Sequence, residues 1–173
     1  MKKIAFFCSL LVIVLIIASC KKSEVNHHSD FDKSYKEWLT FKETSGNSYR
    51  YSVVSGSVFG FSTQTDITIR DGKITQRHFK YTSASSVNIP ADQMEWTESE
   101  NEINSDQHTS AASTLTLDQV YDEARNNWLK KRDNAQTYFE AKNNGLISSC
   151  GYIMTGCQDD CFQGINIIAI VSL

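Results

Sequence analysis

The chain has 173 residues, 40 % hydrophobic and 21 % charged, enough apolar surface for one packed domain and too much for global disorder. A formal net charge of −3 argues against a nucleic-acid binder, which needs a basic face. The single proline, Pro90, excludes a Pro-rich stalk, and the lack of an internal repeat excludes a solenoid.

The N-terminus carries an address. Lys2 and Lys3 precede an uncharged apolar run, Ile4 to Ile17. That run has the length of a signal-peptide core and falls short of the roughly 20 residues that span a bilayer. It ends in Ile17-Ala18-Ser19-Cys20. This resembles the lipobox of bacterial lipoproteins: an aliphatic residue, two small residues, then cysteine. The resemblance implies cleavage before Cys20 and acylation of Cys20 on its sulfur and its new amino group. Residues 1–19 are then the signal peptide and 20–29 a lipidated tether. Several acyl chains hold a protein firmly at a membrane, since each buried CH₂ contributes about 0.8 kcal/mol. Lys21 stands where that family's inner-membrane members carry aspartate, which implies the outer membrane. His27 and His28 in the tether read as solvated linker residues ahead of a metal pair.

Residues 30–173 read as a single α+β domain. Phe31, Tyr35, Trp38 and Leu39 lie on one helical face, with Ser29 or Asp30 as cap and Ser45-Gly46-Asn47 as stop. Tyr49, Tyr51 and Val53 alternate with polar residues, as a strand facing a core on one side requires. Val58 to Arg70 predicts a second strand, Asp71-Gly72 a two-residue hairpin turn, and Lys73 to Thr82 the return. The result is a three-stranded antiparallel meander.

Ser83 to Ser113 is polar and acidic. Residues 82–123 hold nine acids and no lysine or arginine. A connection this long is functional or unstructured, and its self-repulsion predicts mobility over Ser99 to Ser113. Met94 and Trp96 mark a short edge strand inside it. Thr116 and Gln119 then form a capping-box pattern before the stripe Leu117, Val120, Tyr121, Ala124, Trp128, with Lys130 to Arg132 at the helix end. Ala135 to Ala141 predicts a strand, Asn143-Asn144-Gly145 a turn, Leu146 to Ile153 its partner, and Gly164 to Leu173 a buried C-terminal strand. The order is α-β-β-β-(acidic loop)-α-β-β-β, two helices packed on an antiparallel sheet.

Candidate chemistry gathers near the C-terminus. Cys150, Cys157 and Cys161 lie within twelve residues, and the implied compartment is oxidising. A disulfide clip is the leading reading; Cys157 with Cys161 is favoured, leaving Cys150 as a buried thiol, and Cys150 with Cys161 is the alternative. Three cysteines alone do not complete a zinc site. A catalytic cysteine would need His78 or His108 as base, and the sequence places neither beside one. Asp159 and Asp160 are the residues to which calcium would bind, although the spacing of a calcium-hand loop is absent; the expectation is no cofactor. Trp96, flanked by acids, reads as a local packing anchor ahead of a platform that stacks on a sugar or binds a cationic partner. No phosphate loop, nucleophile elbow or dinucleotide fingerprint occurs.

Tyr49-x-Tyr51, Asp71-Gly72-Lys73, Thr116-Leu117-Asp118 and the terminal β unit together resemble small secreted α+β lipoproteins of bacteria. The expectation is a membrane-anchored envelope lipoprotein that is not an enzyme and binds a protein or a glycan, with no nucleic acid partner. An immunity or inhibitor lipoprotein against a toxin or hydrolase is the first alternative; a hydrolase is the second.

Overall fold

The structure is a computed structural model and describes residues 25–84, 88–103, 105 and 108–173. The signal sequence and Cys20 lie outside the described residues. Among the described residues, no helix is long and apolar enough to cross a membrane.

Helix α1 spans His28–Thr44. Phe31 and Trp38 are buried on its inner face, with Tyr35 and Phe41 packed against the same core. Its end is set by a left-handed pair, Gly46 and Asn47 (φ 58° and 53°). Asn47 N–H reaches back to Lys42 C=O and Gly46 N–H to Glu43 C=O, which satisfies the last carbonyls. The meander follows: β1 Tyr49–Gly56, β2 Ser62–Arg70 and β3 Lys73–Ser83. Asp71 and Gly72 both have positive φ (49° and 76°), as a two-residue hairpin requires.

The acidic connection contributes a single turn of helix, α2 (Ala91–Met94), and an edge strand, β4 (Glu95–Ser99). Helix α3, Leu117–Glu123, starts at the capping box of Thr116 and Gln119. It continues as a wider π-helical turn, Ala124–Trp128. The helical pattern therefore ends before Lys130. Arg132 folds back instead, and its guanidinium donates to the carbonyls of Asn127, Trp128 and Lys130. Strands β5 (Ala135–Glu140), β6 (Ser149–Met154) and β7 (Phe162–Ser172) complete the chain.

The seven strands of the described residues form one antiparallel sheet in the order β4-β3-β2-β1-β7-β6-β5. The fold is α+β, as expected, with three helices among the described residues where the sequence showed two. Helices α1 and α3 cover the face bearing Tyr49, Tyr51, Ile67 and Ile69. Three buried tyrosines fasten the two layers. Tyr49 Oη accepts from Leu117 N–H at 2.9 Å, and Tyr51 donates to Leu115 C=O. Tyr121 Oη bonds Ser34 and accepts from Ile147 N–H at 3.3 Å.

The body begins earlier than the sequence placed it. Residues 25–29 are not tether. Val25 bridges Lys130, Asn26 N–H donates to Leu129 C=O at 2.8 Å, and His27 Nε2 sits 3.1 Å from Thr137 C=O. His27, in a left-handed conformation, takes the N-cap position, so neither Ser29 nor Asp30 caps α1. Strand β6 starts at Ser149 rather than Leu146. Leu146 and Ile147 turn into the core beneath Tyr121 before the ladder begins.

Candidate functional site

The described part of the acidic connection is built into the fold at β4 and at His108 to Ala112. Arg77 on β3 pairs in register with Glu98 on β4. Both point into the core face, and the pair is closed at 2.6–2.8 Å with side chains only 8 % and 2 % exposed. The rest of the guanidinium donates to His108 C=O and Ala112 C=O. His108 Nδ1 meets the other Glu98 oxygen at 3.1 Å, and Ala112 N–H donates to Thr65 Oγ1 at 3.0 Å. The stretch from His108 to Ala112 is therefore pinned over β2, β3 and β4. For His108 to Ala112, this pinning stands against the mobility expected over Ser99 to Ser113. The compensating cation comes from outside the acidic run.

The same cluster decides between the two readings of Trp96, against the binding platform and for the packing anchor. A sugar platform needs an open ring face. The Trp96 ring stacks with His108 at 4.0 Å and with Phe79 at 5.0 Å, has the Arg77 guanidinium at 5.3 Å, and is 9 % exposed. It is a packing anchor for the connection.

The cysteines are arranged as favoured. Cys157 and Cys161 stand at disulfide distance, Cα atoms 5.9 Å apart, and Cys150 is buried beneath the sheet. Burial pushes the Cys150 thiol up to about 12, far from a reactive thiolate. Among the described residues, no three His, Cys, Asp or Glu side chains gather to hold a metal. The Asp160 carboxylate accepts from Ser57 Oγ at 2.6 Å and from Val58 N–H at 3.1 Å. It fastens the β1–β2 hairpin tip to the cysteine loop. Reduction should lower the melting temperature. A four-residue separation gives about 2 kcal/mol by chain entropy, or roughly 4–8 °C for a domain of this size. A chelator should leave the melt unchanged. Equal melts with and without reductant, with both thiols shown to be free, would remove the stabilising role of the clip.

Between these two devices lies a cleft of about 810 Å³. It opens because the sheet splits. The β1–β7 ladder runs from Tyr49–Ser172 to Val53–Ile167 and stops there, just past a register shift between Ser52 and Val53. Such a bulge adds twist and turns the strands apart. On the far side of the split, β7 is drawn tightly to β6. Gly164 lies opposite Gly151, and a Cβ on Gly164 would come 2.1 Å from Cys150 C=O. Glycine is required there by space. The Asp160 bonds close the outer end of the split.

The cleft walls are neutral. Val53, Leu115, Trp128 and Ile165 supply apolar surface, and Ser55, Thr63, Gln158 and Asn166 supply uncharged polar groups. Asp160 is the one ionisable lining side chain among the described residues, and it is already engaged. A second, more open depression of about 930 Å³ lies beside His27, Tyr138 and Phe162. It lacks the two broken strand edges of the first. The site residues read from the sequence thus divide. Cys157, Cys161 and Asp160 border the split, whereas Trp96 and Cys150 are packing residues. Asp159 lies in the same loop and is exposed. The cleft walls themselves escaped the sequence, because common Ser, Thr and Val residues carry no signature; the only trace is glycine on both lips, at Gly56 and Gly164.

Comparison with family models, with curated proteins and with solved structures finds no match for this chain. The functional reading rests on the residues and the geometry.

Proposed function

We propose that this chain is a lipid-anchored binding module of the bacterial cell envelope, holding an uncharged protein segment or glycan in the split of its sheet. Residues 1–19 serve as the signal peptide, and acylated Cys20 anchors the body to the outer membrane. The supporting pattern is Lys2-Lys3, the run Ile4 to Ile17, and Ile17-Ala18-Ser19-Cys20. The carrying observation for binding is the cleft. Its volume of about 810 Å³ suits a small ligand or a short segment, and its walls mix apolar surface with neutral hydrogen-bonding groups.

Trp128 lines that cleft, whereas Trp38 and Trp96 are buried. Trp128 emission is therefore the local reporter. The test titrates full-length protein with a panel of neutral oligosaccharides and uncharged peptides. Saturable change in emission, lost in Trp128→Phe while binding persists by calorimetry, is expected for one class. Panel members that bind without moving Trp128, or no binding from either class, would contradict the reading. Mass spectrometry of protein from native membranes checks the anchor: loss of residues 1–19 with added acyl mass supports it, and an intact N-terminus refutes it.

One observation favours the inhibitor reading as second choice. Val58 and Phe59, at the tip of the pinned β1–β2 hairpin, are 64 % and 70 % exposed. A rigid apolar tip of this kind suits insertion into a pocket on a partner enzyme. Phe59→Ala would then abolish inhibition of the partner while leaving ligand-induced Trp128 changes intact.

A further inference from the structure

The two lips of the cleft are broken strand edges, and their direction can be worked out from the surviving bonds. Ser57 N–H donates to Phe61 C=O, so the odd-numbered residues at this end of β1 face β2. Val54 and Gly56 consequently turn their N–H and C=O groups toward β7. Ile167 N–H donates to Ser148 C=O, so the odd-numbered residues at this end of β7 face β6. Gly164 and Asn166 consequently face β1. Continued register beyond Val53–Ile167 would pair Val54 with Asn166 and Gly56 with Gly164. Neither pair belongs to the ladder. Two strand edges thus look at each other across a gap that is closed at one end by the ladder and at the other by Asp160.

We infer that the ligand of this cleft is a peptide in extended conformation, inserted as an eighth strand between β1 and β7. This rests on the binding reading above and names its ligand class. The reason is backbone chemistry. An open strand edge offers alternating N–H and C=O groups at the spacing of another strand, and a peptide meets them without regard to its side chains. A glycan offers no such alternation. Because β1 and β7 are antiparallel, the inserted strand runs parallel to one and antiparallel to the other.

The walls then set its sequence. Alternate side chains of a strand leave on opposite faces. One set enters the core side, among Val53, Leu115, Trp128 and Ile165, and should be apolar and of modest size. The other set emerges on the outer face and is free to be polar. Charge is disfavoured on the inner set, because among the described residues no cleft side chain supplies an unengaged partner and a buried unpaired charge is costly. The lips span Val54 to Gly56 and Gly164 to Asn166, so the bonded core is about three residues at about 3.3 Å each.

The test uses full-length protein and a phage-displayed library of random uncharged heptapeptides, with a neutral glycan array in parallel. A selected peptide is synthesised and then N-methylated at one alternate set of amides or at the other. Insertion uses both edges, so either N-methylated series should weaken binding by at least about tenfold, the worth of one hydrogen bond of about 1.4 kcal/mol. The unmodified peptide should also protect the amides of Val54, Gly56, Gly164 and Asn166 from exchange. A selected peptide that tolerates both methylation patterns, or protects none of these amides, overturns the inference. Weakening by only one series also overturns it, since that marks addition at a single edge. Glycan hits that move Trp128, with no peptide selected, keep the binding reading and overturn the peptide. Silence from both libraries overturns both.

Discussion

Glu98→Ala should destabilise the protein by about 3–5 kcal/mol, as removing one partner of a buried ion pair generally does. The substitution strands the Arg77 guanidinium in the core with its strongest acceptor gone. It also frees His108, whose ring bonds the same carboxylate and stacks on Trp96. The loss is thus local first: His108 to Ala112 should lose amide protection before the sheet does. The double variant Arg77→Met/Glu98→Leu separates the charge from the space it fills. Replacing both charges by apolar groups should cost less than Glu98→Ala alone, because no uncompensated charge remains. Urea unfolding measures both. A Glu98→Ala change below about 1 kcal/mol would show that the pair is solvated and that the connection is not held by it.

Alkaline pH should unfold the protein between about pH 10 and pH 12. Four buried acids keep their protons in the folded chain. Burial raises Tyr49, with the nearby Asp118 charge adding to it, and raises Tyr51, beside Tyr49. Burial pushes Tyr121 and Cys150 each up to about 12. Folded values lie above unfolded ones, which are 10.0 for tyrosine and 9.0 for cysteine. Their stabilising effect is therefore complete below pH 9. It is lost as the unfolded chain releases protons that the folded chain retains. The loss approaches about 1.4 kcal/mol per pH unit for each group in that window. Against a total stability of roughly 5–15 kcal/mol, four such groups suffice. Tyrosine absorbance gives the sharpest check. Of the seven tyrosines, Tyr49, Tyr51 and Tyr121 should ionise only with the cooperative loss of circular dichroism. A single titration of all seven near pH 10 with the fold intact would contradict the layer-fastening role of these three.

The elements that the sequence revealed are those with local causes. The Asp71-Gly72 turn, the capping box of Thr116 and Gln119, the stop at Gly46-Asn47 and the alternation of β1 each depend on a few neighbouring residues. What stayed hidden depends on register. Arg77 lies outside the acidic run, and only the pairing of β3 with β4 sets it against Glu98. The pinning of His108 to Ala112 was hidden for that reason, because charge along the chain does not show charge across the sheet. The partners of Trp96 were hidden for the same cause, since His108 and Phe79 arrive from other segments. The split is the extreme case. It depends on where one ladder stops, which follows from a one-residue bulge opposite Ser52 and Val53 and from tight glycine packing between β6 and β7. The cysteine clip was legible because Cys157 and Cys161 are close in sequence and the compartment was inferred independently.

Residue-resolved amide exchange on the ligand-free protein tests the split itself. Backbone groups that face a ladder should exchange slowly and those that face the gap quickly. Ser55 on β1, Ser57 just beyond it, and Ile165 and Ile167 on β7 should be protected, while Val54, Gly56, Gly164 and Asn166, interleaved with them, should exchange at least about tenfold faster. That alternation is expected only if two strand edges stand open toward each other. Uniform protection along both segments would mean that β1 and β7 are zipped to the tip, and the cleft, its ligand and the function proposed for it would fall together.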